Sequence, residues 1–196
     1  MLDKLGYEIV GDRGFMYAST GILITENPNE LPENDYSDAK LPEYQTKYSA
    51  GADFFCAEEV TIPSIWSSIP KIIGEIVKGN GLKNIEDTFK PTLVHTGIKA
   101  YMQDDEVLEL YNRSSNPKKL GLVLANGVGV VDSDYFGNSD NDGEIMFAFY
   151  NLKPWDVTIK VGDRIGQGVF KKFLKAEVAS FKGEKRVGGF GSTNNK

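Results

Sequence analysis

Residues 120–137 read LGLVLANGVGVVDSDYFG, an apolar run broken at Asn126-Gly127 and followed by a second apolar run that ends on an acid. Asn-Gly suits a two-residue turn because both central positions need positive φ, which these residues adopt at low cost. The reading is therefore a β-hairpin, with Val128, Val130 and Val131 driving its second strand and Asp132 where that strand runs out. Ser133, Asp134 and Tyr135 follow at once. A carboxylate at the end of a rigid strand, with an aromatic three residues on, suits a pocket for a planar ring and a hydrolytic water. The plainer alternative is a strand followed by an acidic turn.

Working outward, the flanking segments repeat the pattern of short strands and turn residues. Residues 54–57, 93–102, 107–111, 144–151 and 157–170 read as strands, the last with a turn at Gly162-Asp163. Such punctuation points to an all-β barrel or jelly roll. One segment departs from it. Ile69, Ile72, Ile73, Ile76 and Val77 recur at helical spacing, with Pro70 in the first turn and Gly79-Asn80-Gly81 as a stop, so 69–78 reads as a short amphipathic helix inside an insert at 63–91, its apolar face packed on the domain. Residues 1–38 form an N-terminal extension in which GFMYASTGILITE suggests strand and NPNELPENDYSD an exposed acidic linker. NSDNDG at 138–143 is a polar loop.

Composition narrows the chemistry. The chain has 196 residues and a formal net charge of −6, which disfavours nucleic acid or an anionic membrane as partner. It contains no apolar run of transmembrane length and no signal-peptide core at its start, so the expected location is the cytoplasm. One cysteine, Cys56, and one histidine, His95, are too few for an internal disulfide, a protein-built zinc site or a histidine-centred triad. Catalysis would rest on carboxylates, hydroxyls, arginines and a metal carried by the substrate.

Several other segments offer such groups. Asp53 follows the small residues Ser49-Ala50-Gly51-Ala52 and is either a site acid or a strand-edge acid. Arg113-Ser114-Ser115 combines a guanidinium fork with two hydroxyls, as phosphate binding requires, although it equally describes an ordinary hydroxyl-capped turn. Arg164 and Gln167 sit on the last strand, and RVGGFGST at 186–193 is either a free tail or a lid of glycine amides and hydroxyls around Phe190.

Taken together, SAGADF at 49–54, RSS at 113–115, NGVGVVDSDYFG at 126–137, GDRIGQ at 162–167 and RVGGFGST at 186–193 closely resemble, in order, the five motifs of the trimeric dUTPases. The resemblance implies an all-β, dUTPase-like jelly roll (β-clip) over 1–180 with the short inserted helix, a flexible glycine-rich C-terminal arm over 181–196, and a homotrimer with shared active sites. It implies hydrolysis of dUTP to dUMP and pyrophosphate, which keeps uracil out of DNA and supplies dUMP for dTMP synthesis. By the same resemblance Asp132 activates the water that attacks the α-phosphorus. Tyr135 underlies the deoxyribose, and Asn126, Gly127 and Val131 belong to the hairpin that binds uracil. Arg113, Ser114, Ser115 and Gln167 hold phosphates, Arg164 braces the site, and Mg²⁺ arrives on the triphosphate with Asp53 touching only its water shell. In the arm, Phe190 covers uracil, and Arg186, Gly191, Ser192 and Thr193 meet the outer phosphates. Arg186 stands four residues before Phe190 where the family usually has five, so Lys185 is the alternative phosphate ligand.

Two rivals share these features. A dCTP deaminase would also carry RSS and an acid-ended strand, but its proton-shuttling glutamate is matched here by Ala148. A nucleotide-sensing module that docks on a regulatory protein would use the inserts or the N-terminal extension.

Overall fold

The structure is a computed structural model that describes residues 5–9, 38–79 and 89–177. Residues 14–26, the linker after them, and the arm with Lys185, Arg186, Phe190, Gly191, Ser192 and Thr193 lie outside the described residues. In chain order the strands are β1 (Gly6–Ile9), β2 (Ala52–Phe55), β3 (Val60–Ile62), β4 (Thr92–His95), β5 (Ile98–Tyr101), β6 (Glu106–Asn112), β7 (Leu122–Leu124), β8 (Gly129–Asp132), β9 (Met146–Asn151), β10 (Val157–Ile159) and β11 (Arg164–Lys172). The single α-helix among the described residues, α1 (Ile69–Val77), lies between β3 and β4.

A four-stranded sheet in the order β2-β11-β6-β8 faces a three-stranded sheet β4-β9-β7 across the core, and the ribbons β1-β5 and β3-β10 complete the all-β architecture. The strands form for the reason the pattern suggested: β-branched and aromatic residues at alternate positions bury one face. Where a strand is covered on both sides, alternation gives way to continuous burial, as at Phe147, Ala148 and Phe149 in β9. Phe54 and Phe147 meet at 5.5 Å between ring centroids, and Phe147 stacks on Phe149 at 6.2 Å, joining the two sheets through aromatic contact. The N-terminal strand belongs to this core, since Tyr7 packs edge-on against Phe54 at 5.3 Å and is 6% exposed.

Three expectations are corrected. Residues 93–102 are two strands in different sheets, β4 paired with β9 and β5 with β1. The chain changes sheet at Thr96-Gly97, where Gly97 takes φ 63° and Thr96 Oγ1 donates to the Ile145 carbonyl at 2.6 Å. The turn at Asn126-Gly127 exists, with Gly127 N–H donating to the Leu124 carbonyl at 3.1 Å, but its flanking strands do not pair with each other. Instead β7 pairs with β9 and β8 with β6, so the segment arches between sheets. A turn signal sets local backbone and does not choose the ladder each flank joins. Finally, α1 does not pack its apolar face on the domain: none of its residues is buried, and Ile73 and Ile76 are each 55% exposed. Its anchorage lies just upstream, where Ser64 Oγ caps the 3₁₀ turn Ile65–Ser68 and the Trp66 indole donates to the Leu152 carbonyl at 3.0 Å.

The crossing of the two sheets depends on the absence of a side chain at Gly166 in β11. A Cβ there would lie 2.0 Å from the Phe147 ring, against a side chain locked in the core. Gly166→Ala should therefore cost about 1–3 kcal/mol through overpacking, measured as a lowered midpoint of urea unfolding.

Candidate active site

Four of the five singled-out segments fall within the described residues, and the structure gathers their side chains into two groups. The first is built where β2 meets β11. Asp53 and Gln167 are register partners, which places their side chains together on one face. Asp53 is 2% exposed, and both its carboxylate oxygens are engaged: Gln167 Nε2 donates to one at 2.9 Å and Arg164 Nη1 to the other at 3.1 Å. Arg113 Nε stands 3.8 Å from the same carboxylate, while its Nη1 donates to the Arg164 carbonyl at 3.2 Å. Burying an anion is costly unless it is paired and hydrogen-bonded, and here two guanidinium groups and an amide meet it. Two cations about one anion leave a positive surplus, with N–H groups available to an incoming anion.

Arg113 lies just beyond the end of β6, and the turn it opens is tied down by a residue that sequence reasoning missed. Asn116 is 2% exposed, and its Nδ2 donates to the Ile165 carbonyl at 2.7 Å and to Asn112 Oδ1 at 2.8 Å. Its backbone N–H closes the turn on the Arg113 carbonyl at 3.0 Å. The one available signal was an asparagine directly after Arg-Ser-Ser and before a proline, which reads as any polar turn until its burial is known. Ser114 is exposed and Ser115 half-buried on this turn.

The second group sits at the end of β8. Asp132 is that strand's last residue, half-buried, opposite Val107 of β6. Val131 is buried at 7% exposure, whereas Asn126 and Gly127 stand exposed at the far end of the arch. A 3₁₀ turn over Ser133–Tyr135 carries Tyr135 inward to 7% exposure, where its hydroxyl donates to the Glu144 carbonyl at 3.0 Å. Asn141 Nδ2 donates in turn to the Tyr135 oxygen at 2.9 Å. Beside Ser133, the residue after Asp132, opens a cleft of about 520 Å³ lined also by Tyr101, Met102, Gln103, Asp104 and Phe136, among others. Ser133 Oγ donates to Asp104 Oδ1 at 3.3 Å on its wall.

The two groups do not meet within one chain. Asp132 faces Val107 near the start of β6, and Arg113 follows its last residue, Asn112. At about 3.3 Å per residue of strand, that separation is roughly 20 Å. The structure thus brings Asp53, Arg113, Arg164 and Gln167 together, and Asp132 with Tyr135, at opposite ends of one strand.

His95, the single histidine, takes a structural position. Its Nδ1 lies 3.1 Å from the buried Glu144 carboxylate and its Nε2 3.8 Å from Glu58. The Glu144 hydrogen bond holds the imidazole pKa above its usual value against the opposing effect of burial.

Comparison with known proteins identifies the family. A family model described as dUTPase matches residues 84–194. The deoxyuridine 5'-triphosphate nucleotidohydrolase of Lactococcus lactis is 42% identical over 154 residues, covering 78% of this chain and 87% of the relative. The crystal structure of dUTPase from Streptococcus mutans superposes with a TM-score of 0.56 at 38% identity, over 70% of this chain and 88% of that one. A dUTPase from phage phi11 of S. aureus shares the fold at 17% identity, with a TM-score of 0.53 over 76% and 92% of the two chains. With its motif residues gathered at the two ends of β6 and its sequence matched over most of its length, the chain belongs to the dUTPase family.

Proposed function

We propose that the protein hydrolyses dUTP to dUMP and pyrophosphate in active sites shared between copies of the chain. The observation that carries the reading is the separation along β6: a base next to an aromatic at one end, a preorganised cation cluster at the other, and roughly 20 Å between them. A neighbouring copy that brings its Arg113 end to this copy's Asp132 end makes one complete site, and closed threefold symmetry repeats it three times.

In that site the Arg113 guanidinium and the Ser114 and Ser115 hydroxyls grip phosphate oxygens, with Arg164 and Asp53 holding the guanidinium in place. Their positive charge brings the anionic triphosphate beside Asp132, which would otherwise repel it. Asp132 accepts a proton from the water that attacks the α-phosphorus, and pyrophosphate leaves. Asn126, Gly127 and Val131 approach the uracil edge, and Tyr135 lies under the deoxyribose. From the arm, Phe190 covers the base, while Arg186 or Lys185, with Gly191, Ser192 and Thr193, meets the outer phosphates.

The donor set fits magnesium carried on the nucleotide. Among the described residues no group of three or more His, Cys, Asp or Glu side chains could hold an ion, and both Asp53 oxygens already accept hydrogen bonds. Asp53 would meet the water shell of the magnesium–nucleotide complex, whose ion neutralises charge on the phosphates, and Gln167 would hold phosphate.

Deamination of dCTP is disfavoured by Ala148, which is 5% exposed in β9 opposite Leu93 and offers no group to shuttle protons. The exposed apolar side of α1 supports a regulatory protein contact as an additional role.

Pyrophosphate release should be confined to dUTP when dUTP, dCTP, dTTP and UTP are compared with Mg²⁺, and no ammonia should appear; ammonia from dCTP would move the protein to the deaminase reading. Asp132→Asn should lower turnover roughly 10²–10⁴-fold while nucleotide affinity measured by calorimetry changes little. Refolding Asp132→Asn chains together with Arg113→Ala chains should restore about a quarter of wild-type activity, because mixed assemblies contain sites with both native groups. Sites contained within one chain would stay silent in that mixture.

A further inference from the structure

Behind Tyr135 lies a polar relay to which the reaction above assigns no role. Glu144 is only 3% exposed, yet its carboxylate is well met: Oε1 accepts the Gly97 N–H at 3.1 Å, and His95 Nδ1 is 3.1 Å from both oxygens. A carboxylate only accepts, so Nδ1 carries the proton in this contact. The main-chain carbonyl of the same residue accepts the Tyr135 hydroxyl at 3.0 Å and Asn141 Nδ2 at 3.2 Å. His95 ends β4 in register with Met146 of β9, and Ile145 N–H donates to the Ile98 carbonyl at 2.8 Å. Glu144 is therefore fastened to the sheets at its side chain, and Tyr135 is fastened to Glu144.

We propose that His95 and Glu144 are positioning residues for Tyr135, setting the depth of the ring beneath the sugar and thereby the exclusion of a 2′-hydroxyl. The proposal rests on the reading of Tyr135 as the sugar contact. Excluding one oxygen atom requires a wall that cannot retreat by even about 1 Å, and such precision comes from supporting hydrogen bonds that lock the contacting side chain. Ring packing alone leaves the far edge of Tyr135 free to tilt away from the sugar, whereas a hydroxyl held by a carbonyl whose own residue is anchored at Gly97 and His95 keeps that edge in place. Substrate dUTP, which has no 2′-oxygen, is indifferent to a small retreat of the ring, so discrimination is the sensitive quantity.

The test compares kcat/KM for dUTP and UTP in variants of the full chain. His95→Phe fills the space without an Nδ1 donor and should lower the dUTP-to-UTP preference by about tenfold, through improved use of UTP, with kcat on dUTP kept within about threefold. His95→Asn returns an N–H to the Nδ1 position and should keep the wild-type preference. Tyr135→Phe retains the ring, cuts the relay at its other end and should show the same lowered dUTP-to-UTP preference. If His95→Phe fails to fold, Glu144→Gln, which leaves one acceptor for Gly97, carries the same expectation. An unchanged preference in His95→Phe beside a lowered one in Tyr135→Ala would overturn the relay and leave the pair merely structural. An unchanged preference in Tyr135→Ala would remove the sugar-contact reading itself and the proposal with it. Asparagine at position 95 behaving like phenylalanine would also overturn it, since the donor would then be irrelevant.

Discussion

The antiparallel ladder between β6 and β11 determines where the remaining parts can sit. It runs in register from Gly166 opposite Asn112 to Lys172 opposite Glu106, placing the two longest strands at the centre of the four-stranded sheet. β2 adds to one flank and brings Asp53 against Gln167; β8 adds to the other and brings Asp132 against Val107. Because β8 pairs with the early part of β6 while Arg113 follows its end, the length of one strand separates Asp132 from the arginines. The distance between the two groups is thus a consequence of strand length and register, with no special distortion required.

The cation cluster is held by electrostatics that would be unfavourable piecemeal. Asp53 alone at 2% exposure would be a costly buried charge, and Arg113 and Arg164 alone would repel one another. Together they form a rigid donor array whose net charge is complementary to phosphate. Asn116 contributes through its side-chain amide, which latches the turn that carries Arg113 onto the Ile165 carbonyl. The guanidinium fork is thereby held with little orientational freedom left to lose.

The inserted helix presents the opposite situation. Its sequence is as amphipathic as that of a core helix, yet Ile73, Ile76 and Val77 face outward, and the turn just before it is tied down through Ser64 and Trp66.

What the sequence determined by itself was local. Strand and turn positions followed from residue spacing, the short helix from its isoleucines, and the chemistry from motif residues whose types suit phosphate, base and water. Only the tertiary structure decided which strands pair, since a ladder is a contact between segments far apart in the chain and a turn constrains only its own backbone. It therefore sent β7 and β8 to different sheets, split 93–102 at Gly97, exposed the face of α1, and revealed Asn116 and Glu144, whose importance lies in burial and in partners remote in sequence. Periodicity records that a face is apolar; what covers that face, and which polar groups must be satisfied beneath it, is settled by packing.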